Sequence, residues 1–542
     1  MIENLQKFFP TKYNIYDHQK IVLQQIQQAI NEGHKFIVIQ SPTGTGKSMI
    51  SATLSNLSRP PPQKIIEFVD DNQMFKKDSY GDYICNEKLK NEPSYGVFVL
   101  TITKMLQEQY NTLFDTVKIL KGKNNYECSI NDEFTVDFAP CILAHKLYKS
   151  CETNHQCDYL NKRDDLIKSK FGVLNYSLFL SMPEHIKKRQ FLICDEASEI
   201  EDELVGHFSV TVDLNKLKML HIKPKPLISD NRGTAFLWLT DLAVQIKKYI
   251  DNTKENLKGV FSLHPNEVFK LRHAINFQER LNNTLQNWNK AEYVIERKEH
   301  NITFVPLYVD GISQELFNFA DVNILMSATI IDHKTFTKSL GIEKYKYIEI
   351  DSVFDSKKSP IYCPGKLSLS FKEIDKNLPK IVEQAVEICD HYKDKKGIIH
   401  THSFKITEGL QKKLNKNSRF LFREDKLTNE HIIQEHFLRN DSTVLVSPSL
   451  GYGVDLYGDF GKFQIIMKLP YLPLGSKRVS ILFKRDKDWY LMKMLIALVQ
   501  MCGRCTRSKT DEADTFILDG QTFDVLKRNW DKLPQWFKSR LI

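Results

Sequence analysis

Ser41-Pro42-Thr43-Gly44-Thr45-Gly46-Lys47-Ser48 has the glycine spacing and terminal Lys-Ser pair that phosphate chemistry requires. Gly44 and Gly46 let backbone N–H groups converge on phosphate oxygens. Lys47 offers a point charge to β- and γ-phosphates, and the Ser48 hydroxyl can complete a Mg²⁺ shell. A glycine-rich turn can arise by chance, and here the first position is Ser rather than the Gly of the generic pattern. The context is the right one, however. The apolar run KFIVIQ (35–40) precedes the loop as a strand, and SMISATLSNL follows it as a helix.

Two further sets could act on the same phosphates. Asp195-Glu196 closes the apolar run FLIC. ATP hydrolysis needs one carboxylate to hold the metal through water and another to orient or deprotonate the attacking water. An adjacent acidic pair is more often surface charge; at the carboxyl end of a buried strand beside a phosphate loop it becomes a functional candidate. In Gln500-Met-Cys-Gly503-Arg504-Cys-Thr-Arg507 two guanidiniums stand three residues apart. On a helix they would point the same way and, from an opposing domain, could clamp a γ-phosphate. Isolated arginines of this kind usually form a solvated face.

The third set is sulfur. Cys128, Cys141, Cys151 and Cys157 cluster, while the other six of the ten cysteines, Cys85, Cys194, Cys363, Cys389, Cys502 and Cys505, are scattered. Thiolates bind iron–sulfur clusters or Zn²⁺, and the spacing C-x12-C-x9-C-x5-C does not by itself choose between them. His145 and His155 lie nearby and could replace a thiolate, though such histidines are more often simply exposed.

Positioning these groups needs a particular set of elements. The chain has 542 residues, too many for one core, so two to four domains are expected. Besides the two runs above, YGVFVL (95–100), NILMSAT (323–329), GIIHTH (397–402), STVLVS (442–447) and FQIIMKL (463–469) are short, apolar and bounded by turn residues. Separated by helical stretches, they read as buried parallel strands of two α/β layers. Residues 110–165 are polar and cysteine-bearing. Residues 205–315 carry helical stripes, Leu239, Leu242, Ile246 and Tyr249 on one helix and Ala274, Phe277, Leu281, Leu285 and Trp288 on another, which read as core faces. Residues 58–95 read as a surface insertion.

Lys+Arg 76 against Asp+Glu 67 gives a net charge of +9, which suits a polyanionic partner without requiring one. No leader pattern and no apolar run long enough to span a bilayer is visible, so a soluble intracellular protein with reduced thiols is expected, with no membrane partner, in cytoplasm or nucleus. The Asn- and Lys-rich composition is that of an AT-rich genome, such as a virus or phage can have.

In this order the pieces resemble the superfamily 2 helicases, in the iron–sulfur branch that includes XPD and DinG. Asp17-His-Gln19 sits where that family has its Q motif, and Thr101-Ile-Thr103-Lys104-Met-Leu-Gln-Glu-Gln109 resembles motif Ia. Ser327-Ala328-Thr329 matches motif III. Ser449-Leu-Gly-Tyr-Gly453-Val-Asp455-Leu-Tyr-Gly458-Asp459 resembles motif V, and the Gln500 segment motif VI. Lys121-Gly-Lys-Asn-Asn-Tyr126-Glu-Cys128 is similar to the stretch that introduces the first cluster ligand, and Cys157-Asp-Tyr159, running on to Val173-Leu-Asn175-Tyr176, to the stretch after the last. Three positions depart from the pattern. Ser198 stands where motif II usually has His, Tyr452 where motif V commonly has Glu, and Cys141 lies farther from Cys151 than in several relatives.

The resemblance implies an α/β fold with two RecA-like parallel-sheet domains. Domain 1 comprises 1–109, 166–204 and 316–339, and domain 2 comprises 340–542. An iron–sulfur domain (110–165) and a helical arch (205–315) are inserted. It implies an ATP- and Mg²⁺-dependent DNA helicase with a 4Fe-4S cluster on Cys128, Cys141, Cys151 and Cys157. The resemblance implies translocation 5′-to-3′ along single-stranded DNA, and repair is among the family's settings. Gln19, Ser41–Ser48, Gly453 and Asp455 would form the nucleotide site, and Ser48 and Asp195 would hold the metal. Lys47, Asp195, Glu196, Gln500, Arg504 and Arg507 would act in hydrolysis. Thr103, Lys104, Ser403 and Phe404 would meet the strand, with Lys121 and Lys123 as extra phosphate contacts. The partners would be single-stranded DNA and duplex/single-strand junctions, bound with little sequence preference by a monomer. An RNA-directed ATPase of the same superfamily, an ATP switch without unwinding and a nuclease–helicase fusion are the other readings. The cysteine set speaks against the first, both motif VI arginines against the second, and the lack of a further carboxylate-rich domain against the third.

Overall fold

The computed structural model describes all but residues 1, 64–75, 78–82, 85–92, 131, 140–156, 257–264, 354, 415–416, 423–428, 449–455, 457 and 507–509. Most of the expected 58–95 insertion, Cys85, Cys141, Cys151, His145, His155, Tyr452, Gly453, Asp455 and Arg507 therefore lie outside the described residues.

Two parallel sheets carry the chain. The first has seven strands in the order Lys346–Glu349, Phe36–Gln40, Ala320–Ser327, Arg189–Asp195, Val97–Thr101, Phe171–Asn175 and Lys118–Ile119. Every pairing in it is parallel. The second has six, Ile361–Tyr362, Asp514–Ile517, Phe463–Ile466, Gly397–His400, Val444–Ser447 and Phe420–Phe422, again all parallel. All seven apolar runs singled out in the sequence are strands, four in the first sheet and three in the second. Phe36–Gln40 and Val97–Thr101 are buried at every residue, because helices cover both faces and leave no solvated side to produce alternation.

The sequence boundaries need correction in two places. Lys346–Glu349, expected in the second domain, pairs with Ile37–Gln40 and forms an edge of the first sheet, where Ile348 packs beside Ile37 and Ile39. Lys118–Ile119, expected in the cysteine-bearing insertion, pairs with Gly172 and Val173 at the opposite edge. Edge strands this short, flanked by lysines, carry too little apolar pattern to be read from sequence.

Between the last strands of the first sheet, the 205–315 region forms its own core. Its helices Arg232–Asn256 and Pro265–Gln286 pack on each other, and Leu239, Leu242, Ile246, Ala274 and Leu281 are buried as the stripes required. They cover an antiparallel sheet, Val210–Asp213, Asn301–Pro306 and Tyr293–Lys298, that the helical expectation did not include. Trp288 stacks on Tyr293 at 4.8 Å, joining helix end to sheet. No helix among the described residues is long and apolar enough to cross a membrane.

Candidate nucleotide site and strand path

Parallel strands in one register bring their carboxyl ends to one edge, where ligands of such sheets bind. Here Gln40 lies level with Ser327, and Met326 with Asp195. The phosphate loop, the acidic pair and the Ser-Ala-Thr segment thereby meet, although they are far apart in the chain.

The loop is held by hydrogen bonds from its own residues and from the neighbouring helix and strand. Gly44 and Gly46 have φ of +79° and +83°, the left-handed region that side chains rarely adopt, and Gly46 caps the helix Lys47–Leu57. A Cβ on Gly46 would lie 2.3 Å from Gln19 Nε2. Gln19 itself accepts from Tyr16 N through Oε1 and donates to the Thr45 carbonyl at 3.2 Å, while His18 Nε2 lies 3.0 Å from the same carbonyl. Thr45 Oγ1 donates to the Pro42 carbonyl at 2.7 Å and contacts the Ser41 hydroxyl, and Ser41 N donates to the Ser327 carbonyl at 2.8 Å. Gln40 Oε1 accepts from Ile330 N and Ile331 N, tying the loop's strand to the turn after Thr329.

The charged groups converge beside it. Lys47 Nζ is buried, makes no hydrogen bond among the described residues, and lies 3.7 Å from Glu196 Oε1. Asp195 is buried with both oxygens engaged: Oδ1 accepts from Glu196 N at 3.1 Å and Oδ2 from the Tyr110 hydroxyl at 3.3 Å. Burial pushes its carboxyl above the usual range, against the pull of Lys47. Glu196 takes φ +52°, a strained position that turns its side chain back toward Lys47.

The second sheet reaches this edge through the helix Lys487–Cys502. Gln500 Nε2 donates to Ser198 Oγ at 3.2 Å, Ser198 and Ser327 hydroxyls are 3.0 Å apart, and Ser327 Oγ donates to Glu196 Oε2 at 3.5 Å. Ser198, the position that departs from the family pattern, thus bridges motifs III and VI by hydroxyl. Arg504 corrects an expectation: the helix ends at Cys502 with Gly503 as its cap, so Arg504 sits in the following turn rather than on the helix.

Some groups were not legible in the sequence. His400 ends its strand fully buried, and burial, with His402 and Arg504 nearby, lowers its pKa to about 3. His402, at φ +52°, lies 2.9 Å from Met501 Sδ, next to Gln500. Tyr176 OH donates to the Asp195 carbonyl at 2.9 Å. These are interior polar groups whose partners come from distant segments, so no local pattern marks them.

Along the expected strand path, Thr103 caps the helix Lys104–Leu113 by accepting from Leu106 N, and Lys104 is exposed. Phe404 starts the helix Phe404–Leu414 and is 69% exposed; Ser403 is half-buried before it. Lys121 is paired with Glu108, and Lys123 lies over the Tyr159 ring, so both are already engaged.

Of the four clustered cysteines, Cys128 and Cys157 are described, and both are buried. They stand two residues from Tyr126 and Tyr159, whose rings touch at 5.5 Å, and Cys157 immediately precedes the helix Asp158–Lys168. Among the described residues no group of three or more His, Cys, Asp or Glu is arranged to hold a metal.

Comparison with known proteins agrees with this geometry. Residues 12–203 match the family described as type III restriction enzyme, res subunit, and residues 385–540 the helicase C-terminal domain. The ATP-dependent DNA helicase YoaA of Haemophilus influenzae is 21% identical across 90% of this chain and 84% of its own length. A probable ATP-dependent helicase of Bacillus subtilis, YpvA, is 23% identical across 51% of this chain and 44% of its own. A solved XPD helicase structure superposes with a TM-score of 0.61 at 14% identity, covering 98% of this chain and 99% of that one. Together these matches support reading the chain as an XPD/DinG-like superfamily 2 helicase. It is an ATP-hydrolysing helicase.

Proposed function

We propose that the chain is a DNA helicase that moves 5′-to-3′ along single-stranded DNA and opens duplex at single-strand junctions. The observation that carries the nucleotide chemistry is Lys47: a buried ammonium with no hydrogen-bond acceptor among the described residues, in the mouth of the phosphate loop and 3.7 Å from Glu196 Oε1. Glu196 offsets its charge without engaging its N–H donors, and a nucleotide's phosphates supply acceptors for them. Lys47 holds the β- and γ-phosphates, and Ser48 and Asp195 present oxygens to Mg²⁺. When bound, Mg²⁺ supplies charge neutralisation on the phosphates. Glu196 orients the attacking water, Gln500 and Arg504 approach from the second sheet, and Arg507, outside the described residues, is proposed from the motif alone as a second γ-phosphate contact. Gln19 and the loop residues Ser41, Thr43 and Thr45 fix the nucleotide's seat, and Gly453 and Asp455, outside the described residues, are proposed from the motif alone as further nucleotide-binding positions.

Support for DNA comes from the Haemophilus relative, described as a DNA helicase, and from the exposed Lys104 and Phe404, a phosphate contact and a stacking ring of the kind strand-tracking motors use. Cys128, Cys141, Cys151 and Cys157 would ligate a 4Fe-4S cluster. The buried, aromatic-backed setting of Cys128 and Cys157 suits a structural pin better than an exposed redox centre. When bound, such a cluster would cross-link the four cysteines that hold it.

The test is strand displacement with ATP on duplexes carrying a 5′ or a 3′ single-stranded tail. Displacement from the 5′ tail alone, abolished in Lys47→Ala, is expected. Displacement from the 3′ tail alone overturns the polarity, and stronger stimulation by RNA than by DNA overturns the substrate.

A further inference from the structure

Tyr110 belongs to none of the residues expected to act, yet it occupies the centre of the nucleotide site. It lies on the helix Lys104–Leu113, two turns past Thr103 and Lys104, and only 1% of it is exposed. Its ring packs edge-on against Phe171 at 6.3 Å and beside Phe114 at 6.2 Å. That packing would be served equally by phenylalanine. The hydroxyl is what needs an account, because a buried phenol O–H is costly without partners.

Its partners are the two halves of the nucleotide machinery. The hydroxyl donates to Asp195 Oδ2 at 3.3 Å and lies 3.2 Å from Ser51 Oγ, one helical turn beyond Ser48 on the phosphate-loop helix. With one proton to give, Tyr110 donates to the carboxylate and accepts from Ser51. Since Glu196 N occupies Oδ1, Tyr110 is the group that fixes the rotation of the Asp195 carboxylate about its second oxygen.

We propose that Tyr110 is a positioning residue that sets the Asp195 carboxylate for Mg²⁺ and couples that setting to strand occupancy at Thr103 and Lys104. The coupling runs through one rigid element. Seven residues of helix separate Thr103 from Tyr110, roughly 10 Å along the axis, and the helix moves as a unit. A phosphate engaging its exposed first turn shifts the hydroxyl relative to Asp195, and the 3.3 Å contact has room to shorten. This inference rests on the proposed strand path and on Asp195 as metal carboxylate.

The experiment uses the full-length chain and Tyr110→Phe, which keeps the ring and removes the hydroxyl. ATPase is measured against Mg²⁺ concentration, with and without single-stranded DNA, beside binding of a fluorescent ATP analogue in EDTA. Loss of the hydroxyl is expected to raise the half-saturating Mg²⁺ roughly fivefold, the factor corresponding to about one net hydrogen bond. Metal-free nucleotide binding stays unchanged, and stimulation by DNA falls. Tyr110→Phe combined with Lys104→Ala should lose no more stimulation than the larger single change, since both act through one helix. An unchanged Mg²⁺ curve overturns the assignment. A shifted curve with full DNA stimulation overturns the coupling. A wild-type enzyme that no nucleic acid stimulates overturns instead the reading of the strand path, while the Mg²⁺ curve still decides Tyr110.

Discussion

Three residues apart, Ser198 and Glu201 both reach from the first sheet's acidic segment to the helices of the second, and they do so with opposite chemistry. Ser198 makes a neutral chain, Gln500 to Ser198 to Ser327, beside the nucleotide edge. Glu201, on the helix Ile200–Phe208, is 4% exposed and binds Arg478 at 2.6 Å, Lys493 at 3.3 Å and the Trp489 indole through both oxygens. Burial alone would raise the Glu201 carboxyl, but Lys493 and Arg478, with the Trp489 hydrogen bonds, hold it below its ordinary range. Lys493 also meets Asp202 at 2.9 Å, and these acids keep its ammonium charged despite burial. Arg478 continues to the carbonyls of Pro306 and Leu307, at the end of the antiparallel sheet's strand Asn301–Pro306. A neutral hydrogen bond contributes about 1 kcal/mol net, whereas breaking a buried ion pair costs about 3–5 kcal/mol. The two contacts between the units therefore differ in strength, the Glu201 one being the costlier to break.

The largest break in this comparison is Glu201→Ala. It leaves Arg478 a buried cation without its carboxylate and Lys493 with Asp202 alone, and is expected to lower stability by about 3–5 kcal/mol. Denaturant midpoints read the loss. Replacing Glu201, Arg478 and Lys493 together by apolar residues should recover most of it; no recovery would show that the ions do more than fill space. A second test concerns Glu199, beside the same cluster. Burial is the main cause that raises its carboxyl to about 7, with Asp202 and Glu196 adding and Lys493 opposing. Its folded pKa lies above its unfolded value, so its contribution is complete below about 4.5 and is lost as pH rises through about 7. Glu199→Gln should therefore flatten the fall in stability between those values by about 3 kcal/mol, read from denaturation at a series of pH values. The smallest effect belongs to Ser198→Ala, about 1 kcal/mol in stability, but unwinding per ATP hydrolysed should drop while ATPase persists. Gln500→Ala should produce the same uncoupling, and the double variant should add little to either. Equal losses of ATPase and unwinding would place Ser198 outside the coupling of the units.

The contrast also marks where sequence reading reached its limit. Gly44, Gly46, Lys47 and Ser48 were legible because a phosphate loop is local: its glycines, strand and helix adjoin in the chain. Asp195-Glu196 needed only its own strand. Glu201, Arg478 and Lys493, by contrast, carry no local pattern that joins them, since Arg478 is 277 positions beyond Glu201. Ser198 looked like a loss of the family's histidine, and only the folded chain showed a hydroxyl bridging Ser327 and Gln500 in its place. Tyr110 lies just past the Thr101–Gln109 motif, and nothing in the local sequence marks its hydroxyl as a partner of Asp195.

By itself the sequence determined the parallel α/β layers, because strands covered on both faces must be continuously apolar, and it determined the phosphate chemistry, because that is written within eight consecutive residues. Only the tertiary structure decided which edge strands complete the first sheet and where the Arg504 helix stops. It alone set which oxygen of Asp195 meets Tyr110 and which contacts between the sheets are charged. Those outcomes depend on the register of distant segments at one sheet edge, where a few ångströms separate a hydrogen bond from none. A linear pattern carries no record of that distance.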